Sequence, residues 1–182
     1  LDYAWSDDVR TYLTATRGYR SGGFNVRATN TAAFRQPFNE ENVTSYELGL
    51  KSEWLNRRLR LNGALYHYEY TDKQVAQFEA GTGGASSKIV NAGSAKATGI
   101  EIDVTARPIE DLLLTLGYGY IDFGYDKFVT GVQDPATGFP VFGSDGEALV
   151  ADISDTAATN VQSPKNSASL RAEYTIARTG LG

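Results

Sequence analysis

The 182-residue chain has no cysteine, no methionine and a single histidine, His67. Without cysteine there is neither a disulfide framework nor a thiolate metal site, and one imidazole cannot build a multi-histidine centre. No resident metal or other cofactor is expected. With 17 basic against 22 acidic side chains, the chain also lacks the basic excess of a phosphate-backbone binder, so nucleic acid is set aside as a partner. No run approaches the roughly 18 to 20 apolar residues of a membrane helix, and the first residues carry no basic segment leading into an apolar stretch. That excludes helical spanning only, because a membrane β-barrel hides its hydrophobicity in every second residue. Nor does any segment hold an apolar stripe at i, i+3, i+4, i+7 with matching caps.

What is abundant is glycine (19), tyrosine (11) and phenylalanine (8), set in segments that alternate. Val9, Thr11, Leu13 and Ala15 share one parity, against Arg10, Tyr12, Thr14 and Thr16. Tyr46, Leu48, Leu50 and Trp54 oppose Glu47, Gly49, Lys51 and Glu53, with Ser52 the exception. Leu59, Leu61, Gly63 and Leu65 oppose Arg58, Arg60 and Asn62; then Tyr66, Tyr68 and Tyr70 take over the polar parity, so that face turns aromatic or a bulge intervenes. Further strands carry Ile100, Ile102, Val104 and Ala106; Leu112, Leu114, Leu116, Tyr118 and Tyr120; and Ala168, Leu170, Ala172, Tyr174 and Ile176.

The connections differ in length. Those near 6, 56, 109 and 180 are short, and those near 23–43, 79–89 and 127–162 are long. Successive connections of an up-and-down meander fall on opposite rims, which puts every short turn on one rim and every long loop on the other, as in an outer-membrane barrel. Strands of about 12 to 20 residues exceed the usual five or six, and a tilted membrane strand needs about 9 to 11. Aromatic residues near strand ends (Trp54, Tyr118, Tyr120, Tyr174) resemble interfacial girdles. The polar parity carries both charge signs, as a wet lumen allows. Residues 1–182 therefore read as one all-β unit, an antiparallel meander of about six strands plus a stub. Single-chain barrels begin at eight strands, so the chain is expected to be a slice of a larger one, an open, curved sheet with two free edges. The rival readings are a soluble all-β module binding a ligand such as a carbohydrate through Tyr and Asp, and a barrel enzyme.

The segments TATRGYRSGGFN (14–25), SYELGLKSEWLNRRLRLNGALYHYEYTDKQV (45–75), VNAGSAKATGIEIDVTARPIEDLLLTLGYGYIDFGY (90–125) and SPKNSASLRAEYT (163–175) resemble the C-terminal half of TonB-dependent outer-membrane receptors. The resemblance covers most of the chain outside the long loops, in the family's order. It implies part of a 22-stranded barrel that a separate plug domain fills, sited in the bacterial outer membrane and not an enzyme. It also implies import of a scarce nutrient such as an iron-siderophore complex. The implied partners are outer-membrane lipid and lipopolysaccharide, the small ligand itself, and the TonB complex, reached through an N-terminal region outside these residues.

Candidate ligand-binding residues near the outer rim are Arg17 and Arg20, as cations for an anionic chelate, and Tyr66, Tyr68 and Tyr70, as stacking surfaces. The same arginines can instead pair with loop carboxylates or lipopolysaccharide phosphates, and the tyrosines can serve packing among strands. His67 stands on the apolar parity, which favours an interface histidine over a haem ligand. The acids Asp134, Asp145, Glu147, Asp152 and Asp155 lack the spacing of a calcium loop. RGYRSGG lacks the lysine ending of a phosphate loop. No catalytic constellation is present.

Overall fold

The computed structural model describes residues 1–26, 34–35, 37–81, 84–137, 139–144, 149–157 and 164–176. The strands are β1 (Asp2–Ala4), β2 (Val9–Arg20), β3 (Gly23–Phe24), β4 (Pro37–Phe38), β5 (Glu41–Trp54), β6 (Leu59–Thr71), β7 (Gln74–Gly81), β8 (Gly84–Asn91), β9 (Gly93–Ile109), β10 (Leu112–Gly131), β11 (Val150–Asp152) and β12 (Asn166–Tyr174). A helical turn, α1 (Ser154–Ala157), follows β11.

Six long strands pair antiparallel in the order β2, β5, β6, β9, β10, β12, with β1 on the β2 edge and β11 on the upper end of β10. The sheet is open, as the strand count required. Register carries the period-two pattern across it intact. Leu13, Leu48, Leu65, Ile100 and Tyr120 stand in successive register on one face, and below them come Val9, Ser52, Leu61, Val104, Leu116 and Leu170. The opposite face carries rows such as Arg10, Lys51, Asn62, Asp103, Gly117 and Ser169. Ser52 breaks the apolar parity at no desolvation cost, because its buried hydroxyl donates to the Leu61 carbonyl at 2.9 Å.

Nothing among the described residues covers the apolar face. Leu48 is 50% exposed, Leu65 51% and Leu170 77%, whereas the buried hydrophobic residues among those described are Ala92, Ala95, Ala97 and Phe128. A soluble sandwich would bury that face under a second layer; here it is left bare over the length a tilted strand needs to cross hydrocarbon. Trp54 and Tyr174 lie at its lower end, and Tyr46, Tyr118 and Tyr120 towards the upper one. Above it the same face turns polar: Lys96 pairs with Asp126 at 3.1 Å and Lys165 with Asp122 at 2.6 Å.

The short turns at Ser6–Asp8, Leu55–Arg58 and Glu110–Asp111 share one rim. Leu55, Asn56 and Arg57 all adopt φ between 53° and 65°, a strained reversal for residues with a Cβ. The turn expected near 180 lies outside the described residues. On the other rim, the connection read from sequence as a loop around 79–89 is a hairpin, β7 with β8, paired from Gln74↔Asn91 to Gly81↔Gly84. Its root is tied by backbone bonds from Lys73 N to Gly93 O and from Ala92 N to Lys73 O, both 2.8 Å. The stretch at 127–162 likewise starts later, since β10 runs to Gly131 past a bulge at Tyr125/Lys127. Opposite that bulge Gly93 has φ +135°, and a Cβ there would lie 2.1 Å from the Lys127 carbonyl oxygen.

Candidate functional site

The inner face of the upper half is an aromatic wall. No bulge interrupts β6: its register with β5 and β9 is continuous through Tyr70, so Tyr66, Tyr68 and Tyr70 turn to the charged side of the sheet, as their parity dictates. Their ring centroids are 5.2 and 6.5 Å apart. Two strands away, Phe123 and Tyr125 form a second file, 5.2 Å apart and edge-on, and Tyr125 meets Phe128 at 4.7 Å. Between the files β9 supplies Ala95, Ala97 and Gly99, in register with Tyr70, Tyr68 and Tyr66. Ala95 and Ala97 are 1% and 4% exposed beneath the rings.

Small residues under large rings are a requirement of this wall. A Cβ at Gly99 would lie 2.3 Å from Tyr66 Cζ, and one at Gly49 would lie 2.1 Å from Tyr12. Tyr12 Oη donates to Glu47 Oε1, which holds its ring flat across Gly49. The wall thus presents π-faces and phenol hydroxyls to whatever occupies the interior. Cationic groups stand at its upper edge. Lys73 Nζ sits 4.3 Å from the Tyr70 ring centroid and 3.9 Å from Glu41 Oε1. Lower down the inner face is charged with both signs, as expected: Arg60 pairs with Glu53 at 2.6 Å, and Lys51 leans over the Tyr12 ring at 5.5 Å.

The two arginines singled out in the sequence separate. Arg17 points outward, its Nη2 donating to Asn42 Oδ1 at 3.4 Å, while Arg20 has the inward parity, opposite Glu41. Only Arg20 therefore shares a face with Tyr66, Tyr68 and Tyr70. His67 is outward, with Nδ1 2.7 Å from Thr98 Oγ1 and Nε2 3.5 Å from Glu69 Oε1. Among the described residues no group of three His, Asp or Glu side chains is placed to hold a metal ion; Asp145 and Glu147 lie outside them.

Two charged groups outside the spanning strands titrate away from their ordinary values. A hydrogen bond from the Ser154 hydroxyl, joined by the Ser154 backbone N–H and, at 3.4 Å, the Phe128 backbone N–H, holds the Asp152 carboxyl low. The Asp122 carboxylate raises the Lys165 ammonium. Sequence reasoning missed Tyr12, Phe123, Tyr125 and Lys73, although Tyr12 stands among residues already placed on the polar parity and Phe123 and Tyr125 lie on the parity opposite Leu112, Leu114 and Leu116.

The model of the family described as TonB dependent receptor-like, beta-barrel, matches residues 1–182. A pesticin receptor of Yersinia enterocolitica is 32% identical over 105 residues, covering 58% of this chain and 15% of that protein. Among solved structures, the ferric yersiniabactin uptake receptor FyuA of Yersinia pestis superposes with a TM-score of 0.63 at 21% identity, over 96% of this chain and 22% of that one. The ferric-catecholate import receptor Fiu of E. coli does so at 0.57 and 17% identity, over 95% and 21%. The chain thus spans roughly a seventh to a fifth of the length of these relatives.

Proposed function

Since the chain belongs to the TonB-dependent receptor β-barrel family, and so to the outer membrane of Gram-negative bacteria, we propose that residues 1–182 form part of the wall of an importer for an iron-siderophore complex. The observation that carries this reading is the split of one sheet into a bare apolar face and an inner face of tyrosines and charges. Lipid contacts the first, including lipopolysaccharide at the level of Arg17, Lys96 and Lys165. The second meets the cargo. FyuA and Fiu are described as receptors for ferric chelates, and an aromatic wall edged by Arg20 and Lys73 suits such cargo: aromatic ligand groups stack on Tyr66, Tyr68 and Tyr70, and anionic charge meets the cations. Energy for import enters from the TonB complex through parts of the receptor beyond these residues. No catalytic step is assigned.

The test uses the full-length receptor in detergent, with ferric yersiniabactin and a ferric tris-catecholate as probes. Replacing Tyr66, Tyr68 and Tyr70 together by Ala is expected to weaken binding of at least one probe tenfold or more while the folded yield holds. Binding of neither chelate by the unaltered receptor, together with loss of no iron uptake in cells lacking it, refutes the proposal.

A further inference from the structure

Side-chain amides stitch the first long connection to the second. Gln74, buried at the start of β7, directs Nε2 at two carbonyls of the first connection, Ser21 and Asn39, both at 3.0 Å, and at that of Arg20, the last residue of β2, at 3.4 Å. Two amide hydrogens shared among three acceptors leave neither donor of that buried group unsatisfied. Asn91, where β8 ends, holds Asn39 from the other side. Its Oδ1 accepts from Asn39 N at 2.7 Å, and its Nδ2 donates to Asn39 O at 3.0 Å and to Asp72 O at 2.7 Å. Both backbone groups of Asn39 are thereby occupied by side chains from the second connection. Asn25 returns the arrangement, donating to Ile89 O at 3.0 Å and accepting from Ile89 N at 2.7 Å, as a neighbouring strand would.

The packing at this joint leaves no slack. A Cβ on Gly22 would lie 2.4 Å from the Phe38 carbonyl oxygen, so the two limbs of the first connection touch where Gln74 clamps them. The same residues sit against the upper edge of the aromatic wall, since Gln74 N donates to Glu41 Oε2 at 2.7 Å, and Glu41 pairs with the Lys73 that covers Tyr70.

We infer that the described roots of the first and second long connections, 21–25 and 37–40 with 72–76 and 88–91, move as a single body, with Gln74 as the positioning residue that holds Arg20 in fixed relation to the Lys73–Tyr70 pair. A cargo that displaces one connection then displaces the other, and the cationic edge of the wall shifts as a unit. The consequence for cargo rests on the import reading; the coupling itself does not.

The decisive measurement is hydrogen exchange by mass spectrometry on the full-length receptor in lipid nanodiscs, read in one connection after substitution in the other. Gln74→Leu removes the three donated bonds at similar volume, and Asn91→Ala frees the Asn39 N–H. Each is expected to raise exchange in 37–40 by about tenfold or more, with the β5–β6 amides unchanged. Asn25→Ala, which touches no wall strand, is expected to raise exchange at Ile89 similarly and carries the test alone if the other variants lower the yield. Exchange in each connection that stays within twofold after losing the other's amide overturns the inference. Ferric chelate binding by the unaltered receptor, measured in parallel, reports on the import reading separately: its absence sinks that reading and leaves the exchange result to judge the coupling.

Discussion

Three nearby positions on β6 offer a sharp test of the two faces. Leu65 lies on the bare face between Leu48 and Ile100, 51% exposed. Ala64 lies on the inner face between Gly49 and Glu101. His67 stands one pair further out, beside Thr98 and Glu69, where the outward face becomes polar. Arginine in the hydrocarbon costs about 2–4 kcal/mol at the midplane and about 0–1 near the interface. Leu65, one pair from the central row of Leu50, Gly63 and Ile102, belongs near the lower end of the first range, so Leu65→Arg is expected to destabilise by about 2 kcal/mol, roughly a 30-fold change in the folding constant. His67→Arg is expected to cost under about 1 kcal/mol. Ala64→Arg faces the Glu101 carboxylate in a wet interior, where a cross-strand pair returns about 0.2–1 kcal/mol, and its net effect is expected within about 1 kcal/mol of zero. Reversible urea unfolding of the full-length receptor in vesicles, followed by tryptophan fluorescence, gives all three values. An Ala64→Arg cost equal to or above that of Leu65→Arg would refute the assignment of lipid to the Leu65 face.

Gly99→Ala drives a methyl group into the Tyr66 ring and to 2.5 Å from the Tyr120 carbonyl oxygen and is expected to destabilise by about 1–3 kcal/mol, with the ring's share relieved in the double variant with Tyr66→Ala and the backbone's share remaining; an additive cycle argues against the ring contact. Gly93→Ala combines a φ of +135° with a Cβ 2.1 Å from the Lys127 carbonyl oxygen, and is expected to abolish assembly of full-length receptor in cells, scored by heat-modifiable gel mobility. The Asp152 carboxyl is held below its ordinary value by Ser154, so its bonds are complete above the ordinary carboxylate range and are lost as pH falls through the lowered value. Exchange at the Phe128 and Ser154 amides, corrected for intrinsic rates, is expected to rise on acidification, and Asp152→Asn should flatten that dependence.

The wall strands were legible because hydrocarbon on one side and water on the other impose a period of two that survives in Leu48, Leu50, Leu65, Ile100 and Leu116 without help from any other layer. The Tyr66 ambiguity was not, since a bulge and an aromatic inner face give the same string; only the small residues in register across the pair, Gly99 and Ala97, distinguish them, and register is a long-range property. Arg17 and Arg20 were grouped by proximity in sequence, yet an odd spacing within a strand already sends them to opposite faces. The β7–β8 hairpin escaped because its Gly, Ala and Ser residues carry little strand preference; backbone pairing builds it. The amides of Asn25, Gln74 and Asn91 gave no signal at all, because single polar residues in a loop or at the end of a strand have no period to betray what they grip.

Continuous register through β2, β5 and β6, and through β10 between Leu114 and Tyr125, has a bearing on how such a protein can change over generations. Loss of one residue within a strand would rotate every following side chain by half a turn, putting Glu47 or Asp103 into the acyl chains. Length variation is thereby forced out of the wall and into the outer connections, where a hairpin can grow or shrink without consulting its neighbours below. The stitched joint at Asn39 limits even that freedom: a lineage that lengthens one connection while keeping Gln74 and Asn91 must adjust the other as well, so the two are expected to diversify in step.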